Sequence, residues 1–261
     1  MANPTASSVN IAGQLPSVTS TRTVRRRLLV DFQLASRRPA KKAKLSAKNI
    51  KDRVAFCRKY RMWRKEDWMK VMFSDESTFS QFATSTKLVR RPKNQRYNTR
   101  YVVPTVKNAP TVMVWGSFSG RGRGGIWFMP KNMTINGTVY LGILKDKLQP
   151  RMNINACTIF QQDGAPCHQA RAVKQWLHQQ GIEIVGPWPG SSPDLNPIEN
   201  LWNTMKRLVA QHKPTSEQCL INAIKHVWTN EITPAYCESL VSSMPARVKA
   251  VLDNKGRYTK Y

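Results

Sequence analysis

The chain has 261 residues, enough for one sizeable core and an appendage. It carries 42 Lys and Arg against 15 Asp and Glu, a net charge of +27, which points to a polyanionic partner, nucleic acid ahead of an acidic membrane. No run approaches the roughly 18 apolar residues of a membrane span, and the opening MANPTASSVNIAGQLP lacks the basic-then-apolar order of a secretory signal, so neither a membrane partner nor secretion is expected.

The basic charge is concentrated early: residues 1–70 hold 18 Lys and Arg, with only Asp31, Asp52, Glu66 and Asp67 as acids. ASSVNIAGQL reads as a short helix. STRTVRRRLLVDF opens on a Ser20/Thr21 cap signal and sets Val24, Leu28 and Leu29 on one side, with Arg22, Arg25, Arg26 and Arg27 pointing elsewhere. Two short helices, the second arginine-rich, fit a helix-turn-helix whose second helix meets DNA; a solvated basic helix explains the stretch equally well. SRRPAKKAKLS, 36–46, reads as an extended basic linker in which Arg37, Arg38, Lys41 and Lys42 can touch phosphates or form a nuclear-import signal. SAKNIKDRVAFCRKYRMW is an amphipathic helix with Ile50, Val54 and Cys57 on its apolar side.

Beyond Trp68 the pattern turns to strands. KVMF ends abruptly in SDES, and TFSQFA is strand-like; a long basic stretch containing Arg90 and Arg91 follows. TVMVWGSFS is a buried strand with GGIWFMP as its hairpin partner. NGTVYLGILKDKL is helical, CTIFQQD is a strand ending at an aspartate, HQARAVKQWLHQQ a helix and GIEIVG a strand. NPIENLWNTMKRLVAQH is a helix with Asn196 as cap and Pro197 in its first position, and two closing helices follow from 215 onward. The order predicts an α/β fold, a mixed sheet flanked by helices, behind a small all-α segment. The five cysteines, Cys57, Cys157, Cys167, Cys219 and Cys237, form no C-x-x-C pair and read as reduced, mostly buried thiols of an intracellular protein rather than as a disulfide frame or a zinc site.

Three acids stand out in so basic a chain. Asp75 and Asp163 follow apolar strands, and Glu199 falls in the first turn of the proline-led helix. Carboxylates brought to one point from separate elements are what metal-assisted phosphoryl displacement needs, with Lys and Arg around them for the phosphate backbone. Each acid taken singly is more often a turn residue or a helix-end partner. Asp194 reads as a local turn and cap acid, and Glu76 falls on the opposite face from Asp75 if the strand continues.

FSDES, VMVWGSFS, FQQDGAPCH and WPGSSPDLNPIENLW, in that order, closely resemble the Tc/mariner transposases, specifically the Tc branch with its Asp, Asp, Glu triad. The resemblance implies an RNase H-like, retroviral-integrase-like core with Asp75, Asp163 and Glu199 as catalytic residues and metal ligands. It implies two Mg2+ ions per site, with Mn2+ as a substitute. It further implies cleavage at transposon ends followed by attack of the freed 3′-hydroxyl on target DNA at TA sites. The implied partner is double-stranded DNA, terminal inverted repeats and target alike, bound by a homodimer in the nucleus. On this reading residues 1–35 are a partial helix-turn-helix, 36–68 a basic linker and helix, 69–212 the catalytic domain with a clamp-like insertion at about 84–108, and 213–261 helices packing on the core. His168, five residues past Asp163, either steadies DNA or a metal-bound water or is a helix-start histidine without chemistry. Between Asp163 and Glu199 lie 35 residues, one more than is usual in this branch, with the extra one near GPWPG.

Relatives carry two helix-turn-helix units; TSTRTVRRRLL matches the second, and the chain lacks room for the first. Gln33 also stands where relatives often have glycine after the recognition helix. A truncated or host-adopted DNA-binding protein without transposition activity is therefore the rival reading. A nuclease of the same fold, which would cut without joining, is the third.

Overall fold

The computed structural model describes residues 6–15, 19–36, 42, 44–81, 92–95, 97, 98, 100 and 109–261. The chain divides into two compact units, Met1–Ala43 and Lys44–Tyr261.

The first unit holds α1 (Ser8–Gly13) and α2 (Thr21–Val30), each started by a serine whose hydroxyl accepts a first-turn N–H: Ser7 from Asn10, Ser20 from Thr23. Arg25 Nε donates to Ser8 Oγ at 3.0 Å, tying the two helices together. Val24 is buried, but Leu29 is 56% exposed, so the apolar face is narrower than expected. Val24 and Leu28 stand one turn apart, whereas Leu29, five residues on, has rotated well off that line. Gln33, beyond the helix end, has a φ of 55°, a left-handed conformation that glycine adopts without strain.

The second unit begins with α3 (Ala47–Lys59) and α4 (Lys65–Trp68). The buried face of α3 is Arg53, Phe56 and Cys57 rather than Ile50, Val54 and Cys57; it is rotated because it buries an arginine. β1 (Val71–Ser80) is one strand of ten residues where two apolar fragments broken by SDES were expected. Those polar residues can lie inside the strand because Ser74 and Ser77 are buried and Asp75 and Glu76 half-buried, so the break in hydrophobicity is not a break in the backbone. β2 (Thr111–Ser119) and β3 (Gly122–Phe128) form the expected hairpin, and β4 (Ile159–Gln161) and β5 (Glu183–Ile184) complete a sheet of order β3-β2-β1-β4-β5. β2 runs antiparallel to β1, β3 antiparallel to β2, and β4 and β5 parallel to β1.

Side chains alternate across β1 and feed two cores. Val71, Phe73 and Phe79 pack with Phe56 and Cys57 of α3 and with Ile198, Leu201, Trp202 and Met205 of α8 (Ile198–Gln211). Met72 faces the other way, towards Tyr140 and Ile143 of α5 (Gly137–Ile143) and Val173, Trp176 and Leu177 of α7 (Arg171–Gln179). α5 passes through a π turn, Leu144–Leu148, into α6 (Gln149–Ile154). This helix-flanked mixed sheet is the expected RNase H-like architecture.

α8 starts one residue later than predicted. Pro197 occupies the cap position, while Asn196 Oδ1 accepts from Ile198 N at 3.4 Å. α9 (Glu217–His226) winds into a second π turn, Val227–Glu231. The last expected helix is two, α10 (Pro234–Ser242) and α11 (Met244–Asp253), separated where Pro245 removes a backbone donor. Among the described residues no helix is long and apolar enough to cross a membrane.

Candidate active site

β1 and β4 are parallel neighbours with Phe73 opposite Gln161. Asp75 lies two residues past Phe73 on β1 and Asp163 two residues past Gln161, so both acids follow the paired segment in the same direction. Asp75 is not at a strand end as expected, because β1 continues to Ser80 while β4 stops at Gln161. Ser74 and Gln161 hold the two strands together at that point: Ser74 Oγ donates to Gln161 O at 2.9 Å, and Ser74 N donates to Gln161 Oε1 at 3.2 Å. Asp163 lies beyond the strand, its side chain half-exposed, with Oδ1 accepting from Ala165 N at 3.0 Å.

Glu199 comes from the first turn of α8, and two contacts set that helix against the sheet, one on β1 and one on β2. Asn196 Nδ2 donates to Ser74 O at 3.4 Å. Asp75 pairs across the ladder with Gly116, and a Cβ on Gly116 would stand 2.5 Å from Trp202 Cη2. The absence of a side chain there lets buried Trp202 sit down on the sheet. Trp202 is three residues beyond Glu199, one turn away on the same side of α8.

The charges meet accordingly. Burial, and next the negative charge of Glu199, push the Asp75 carboxyl up to about 8, with Glu76 and Asp163 adding to the effect. Each of these acids therefore acts on Asp75, although Asp75, Asp163 and Glu199 are not drawn up within 4.8 Å of one another. Burial first, and then the crowding of like charges, disfavour a bare Asp75 carboxylate; a hard cation relieves both, and an all-oxygen donor set suits Mg2+ or Mn2+.

On the opposite face of β1, Glu76 meets His168. His168 Nδ1 lies 2.7 Å from Asp163 Oδ1 and its Nε2 3.5 Å from Glu76 Oε1, while its ring lies 4.1 Å from that of Tyr140. Glu76 Oε1 is buried without a hydrogen bond, so its link to His168 is ionic. Burial opposes a charge on His168, but Asp163 and Glu76 outweigh it and push the imidazole up to about 10. In return His168 holds the Asp163 carboxyl below its ordinary value. His168 precedes α7 by three residues and is 3% exposed, so it is not a helix-start residue.

Asp194 is not a local cap. Its carboxylate is fully buried and receives Arg53 Nη1 on Oδ1 and Nη2 on Oδ2, both at 2.7 Å. Thr259 N and Oγ1 each donate to Oδ2 at 3.0 Å. Arg247 donates to Asp194 O at 2.8 Å and to Asn200 Oδ1 at 2.7 Å. The loop ahead of Glu199 is thus clamped from α3, from α11 and from the tail. Sequence reasoning missed Arg53, Arg247 and Gly116; an arginine on the apolar side of a helix was the one available signal, for Arg53.

Of the residues expected to bind DNA, Arg22, Arg25, Arg26 and Arg27 lie exposed on α2, and Lys42 is exposed. Arg37, Arg38, Lys41, Arg90 and Arg91, and most of the expected insertion at 84–108, lie outside the described residues.

A family model described as DDE superfamily endonuclease matches residues 70–221, and a transposase model of helix-turn-helix type matches residues 1–62. The Transposable element Tcb2 transposase of Caenorhabditis briggsae is 38% identical over 246 residues, 93% of this chain and 88% of that protein. The Transposable element Tc1 transposase of Caenorhabditis elegans is 36% identical over 248 residues, 94% and 89% of the two chains. Among solved structures, the Mos1 mariner paired end complex with Mg superposes with a TM-score of 0.82 at 18% identity, covering 99% of this chain and 77% of that one. The Mos1 Strand Transfer Complex superposes with 0.82 at 18% identity, covering 99% and 76%. These two establish the likeness of fold.

Proposed function

The chain belongs to the Tc branch of the Tc/mariner family of cut-and-paste DNA transposases, and on that premise we propose that Asp75, Asp163 and Glu199 are its catalytic metal ligands. The observation that supports this is that the charges of Glu199 and Asp163, acids on separate elements, both act on Asp75, with Trp202 seated on Gly116 one turn from Glu199.

Bound between these carboxylates, two Mg2+ ions, or Mn2+ in their place, would stabilise the attacking and leaving oxygens of an in-line phosphodiester displacement. The chain's own residues prepare the place. Asp75, half-buried on a central strand, offers a rigid donor. Glu199 enters from a helix whose N-terminal dipole favours its negative charge. Asp163 is the half-exposed member, and His168 orients it from behind. Arg22, Arg25, Arg26, Arg27, Arg37, Arg38, Lys41, Lys42, Arg90 and Arg91 neutralise phosphates of double-stranded DNA.

The substrates in this reading are transposon terminal repeats and a TA-containing target, handled in the nucleus. The Mos1 structures are described as a paired end complex and a Strand Transfer Complex, and in this reading the present chain works as a homodimer on two ends. By function residues 1–35 recognise DNA, 36–68 link, 69–212 carry the chemistry with a DNA clamp at about 84–108, and 213–261 brace the core.

The test uses the purified full chain with Mg2+ or Mn2+, a labelled duplex with a pre-exposed 3′ end and a target plasmid. Joining that chelator abolishes and that is lost in Glu199→Ala supports the assignment. Tight DNA binding with neither cutting nor joining under either metal would establish a DNA-binding relative without transposition activity. Cutting without joining would make it a nuclease.

A further inference from the structure

The chain has only four histidines, and two of them meet one carboxylate in the larger unit, away from the three acids. His212 caps the C-terminus of α8, His226 is the last residue of α9, and Glu231 ends the π turn that follows it. Ligand atoms of these three side chains all lie within 4.8 Å of one another. The two histidines border an open cleft of about 400 Å3 that Thr215, Cys219 and Asn222 also line.

We propose that His212, His226 and Glu231 form a second metal site, one that takes a transition-metal dication, Zn2+ foremost, and fastens the end of α8 to the end of α9.

The donor set differs in kind from the first site. Two imidazoles and a carboxylate suit Zn2+, whereas Mg2+ prefers oxygen and gives up its water reluctantly. The geometry is close to what such an ion needs. His212 Nε2 stands 3.0 Å from Glu231 Oε1, and two ligands of a tetrahedral zinc, each about 2 Å from the metal, stand roughly 3.3 Å apart. The His212 and His226 rings lie 5.2 Å apart at 68°, edge to face, and rotation of these accessible side chains closes the remaining distance.

The backbone supplies an independent reason for the convergence. His226 and Glu231 are five residues apart, a spacing that an α-helix would turn well away from one face. The π turn, with its i→i+5 hydrogen bonding and Ile232 N donating to Val227 O at 3.2 Å, brings such a pair back into line. An orienting partner is also in place. The Asn230 amide lies 3.0 Å from His226 Nδ1, and turned to present its oxygen it accepts the Nδ1 proton, leaving Nε2 with its lone pair for a metal. Three protein ligands leave the fourth position to water.

The test is Zn2+ binding by the full chain, purified without a histidine tag and stripped with chelator, in a Glu199→Ala background that weakens binding at the first site. Competition against a chromophoric chelator should show one Zn2+ per chain, with affinity about tenfold lower or worse in His226→Ala and in Glu231→Gln. Co2+ should give the visible spectrum of a tetrahedral site, lost in His212→Ala/His226→Ala. The replaced side chains are accessible, so unchanged melting of the metal-free variants will show that the fold is kept, and Zn2+ should raise the melting temperature of the parent alone. Equal Zn2+ affinity and stoichiometry in the parent and the double variant, or a Co2+ spectrum that survives the double substitution, would overturn the proposal and leave an ordinary surface hydrogen-bond cluster.

Discussion

Arg53 and Asp194, 141 residues apart in the chain, meet as a two-pronged pair in which both side chains are fully buried. Removing the cation strands a charge in the core, a loss of about 3–5 kcal/mol. Arg53→Ala should unfold at correspondingly lower denaturant concentration. Arg53→Lys should fall between, since an ammonium cannot make both contacts. An equilibrium urea titration distinguishes the three proteins.

The same pair sets an acid limit. Burial alone would raise the Asp194 carboxyl, but Arg53 and Thr259 outweigh it and hold it below its ordinary value. The folded state therefore binds this proton more weakly than the unfolded chain, whose carboxyl titrates near 3.9. The stabilisation is complete above that value and drains away as pH falls through the depressed folded value. Asp194→Asn should show a shallower loss of stability below about pH 4 than the parent, measured as unfolding free energy against pH.

Gly116→Ala places a methyl against the Trp202 ring, and overpacking of this kind costs about 1–3 kcal/mol. The larger consequence is that α8 must lift, carrying Glu199 with it. Strand joining should fall by more than the stability loss explains, while the circular dichroism spectrum stays that of the parent. Recovery of joining on adding Trp202→Leu would tie the defect to the seat of the helix; no loss in Gly116→Ala would show that Glu199 does not depend on it.

His168→Ala removes the group that fixes the Asp163 carboxylate. Loss of an orienting partner of a metal ligand costs about 10–100-fold in metal affinity or activity. Joining should weaken by that factor, and the Mn2+ concentration needed for half-maximal rate should rise. A fall in rate with an unchanged Mn2+ requirement would separate His168 from the metal ligands.

Gln33 holds a left-handed backbone conformation that costs a residue with a side chain about 1–2 kcal/mol. Gln33→Gly should stabilise the first unit by an amount of that order, read from slower amide exchange across α2.

The architecture was legible where pattern and chemistry coincide. β2 appears at its predicted bounds because Thr111–Ser119 is apolar and β-branched between turn residues. The three acids could be singled out because carboxylates are scarce in this chain. What was hidden was long-range. SDES looked like the end of a strand since nothing local says that Ser74 is tied to Gln161 across the ladder. Asp194 looked like a turn residue since its partners lie on α3, on α11 and in the tail. Even the rotated face of α3 has this origin: Arg53 counts as polar in any periodicity, yet it is 0% exposed because its counter-charge is supplied from elsewhere.

The three anchors of Asp194 also bear on how the protein may be dissected at the bench. A recombinant fragment trimmed to the endonuclease homology, residues 70–221, would retain all three acids and lose Arg53, Arg247 and Thr259. Such a fragment would bury an aspartate with no cation beside it, directly ahead of the helix that bears Glu199. Its inactivity would report on a missing brace rather than on the chemistry. The smallest piece worth expressing starts ahead of α3 and runs through Thr259.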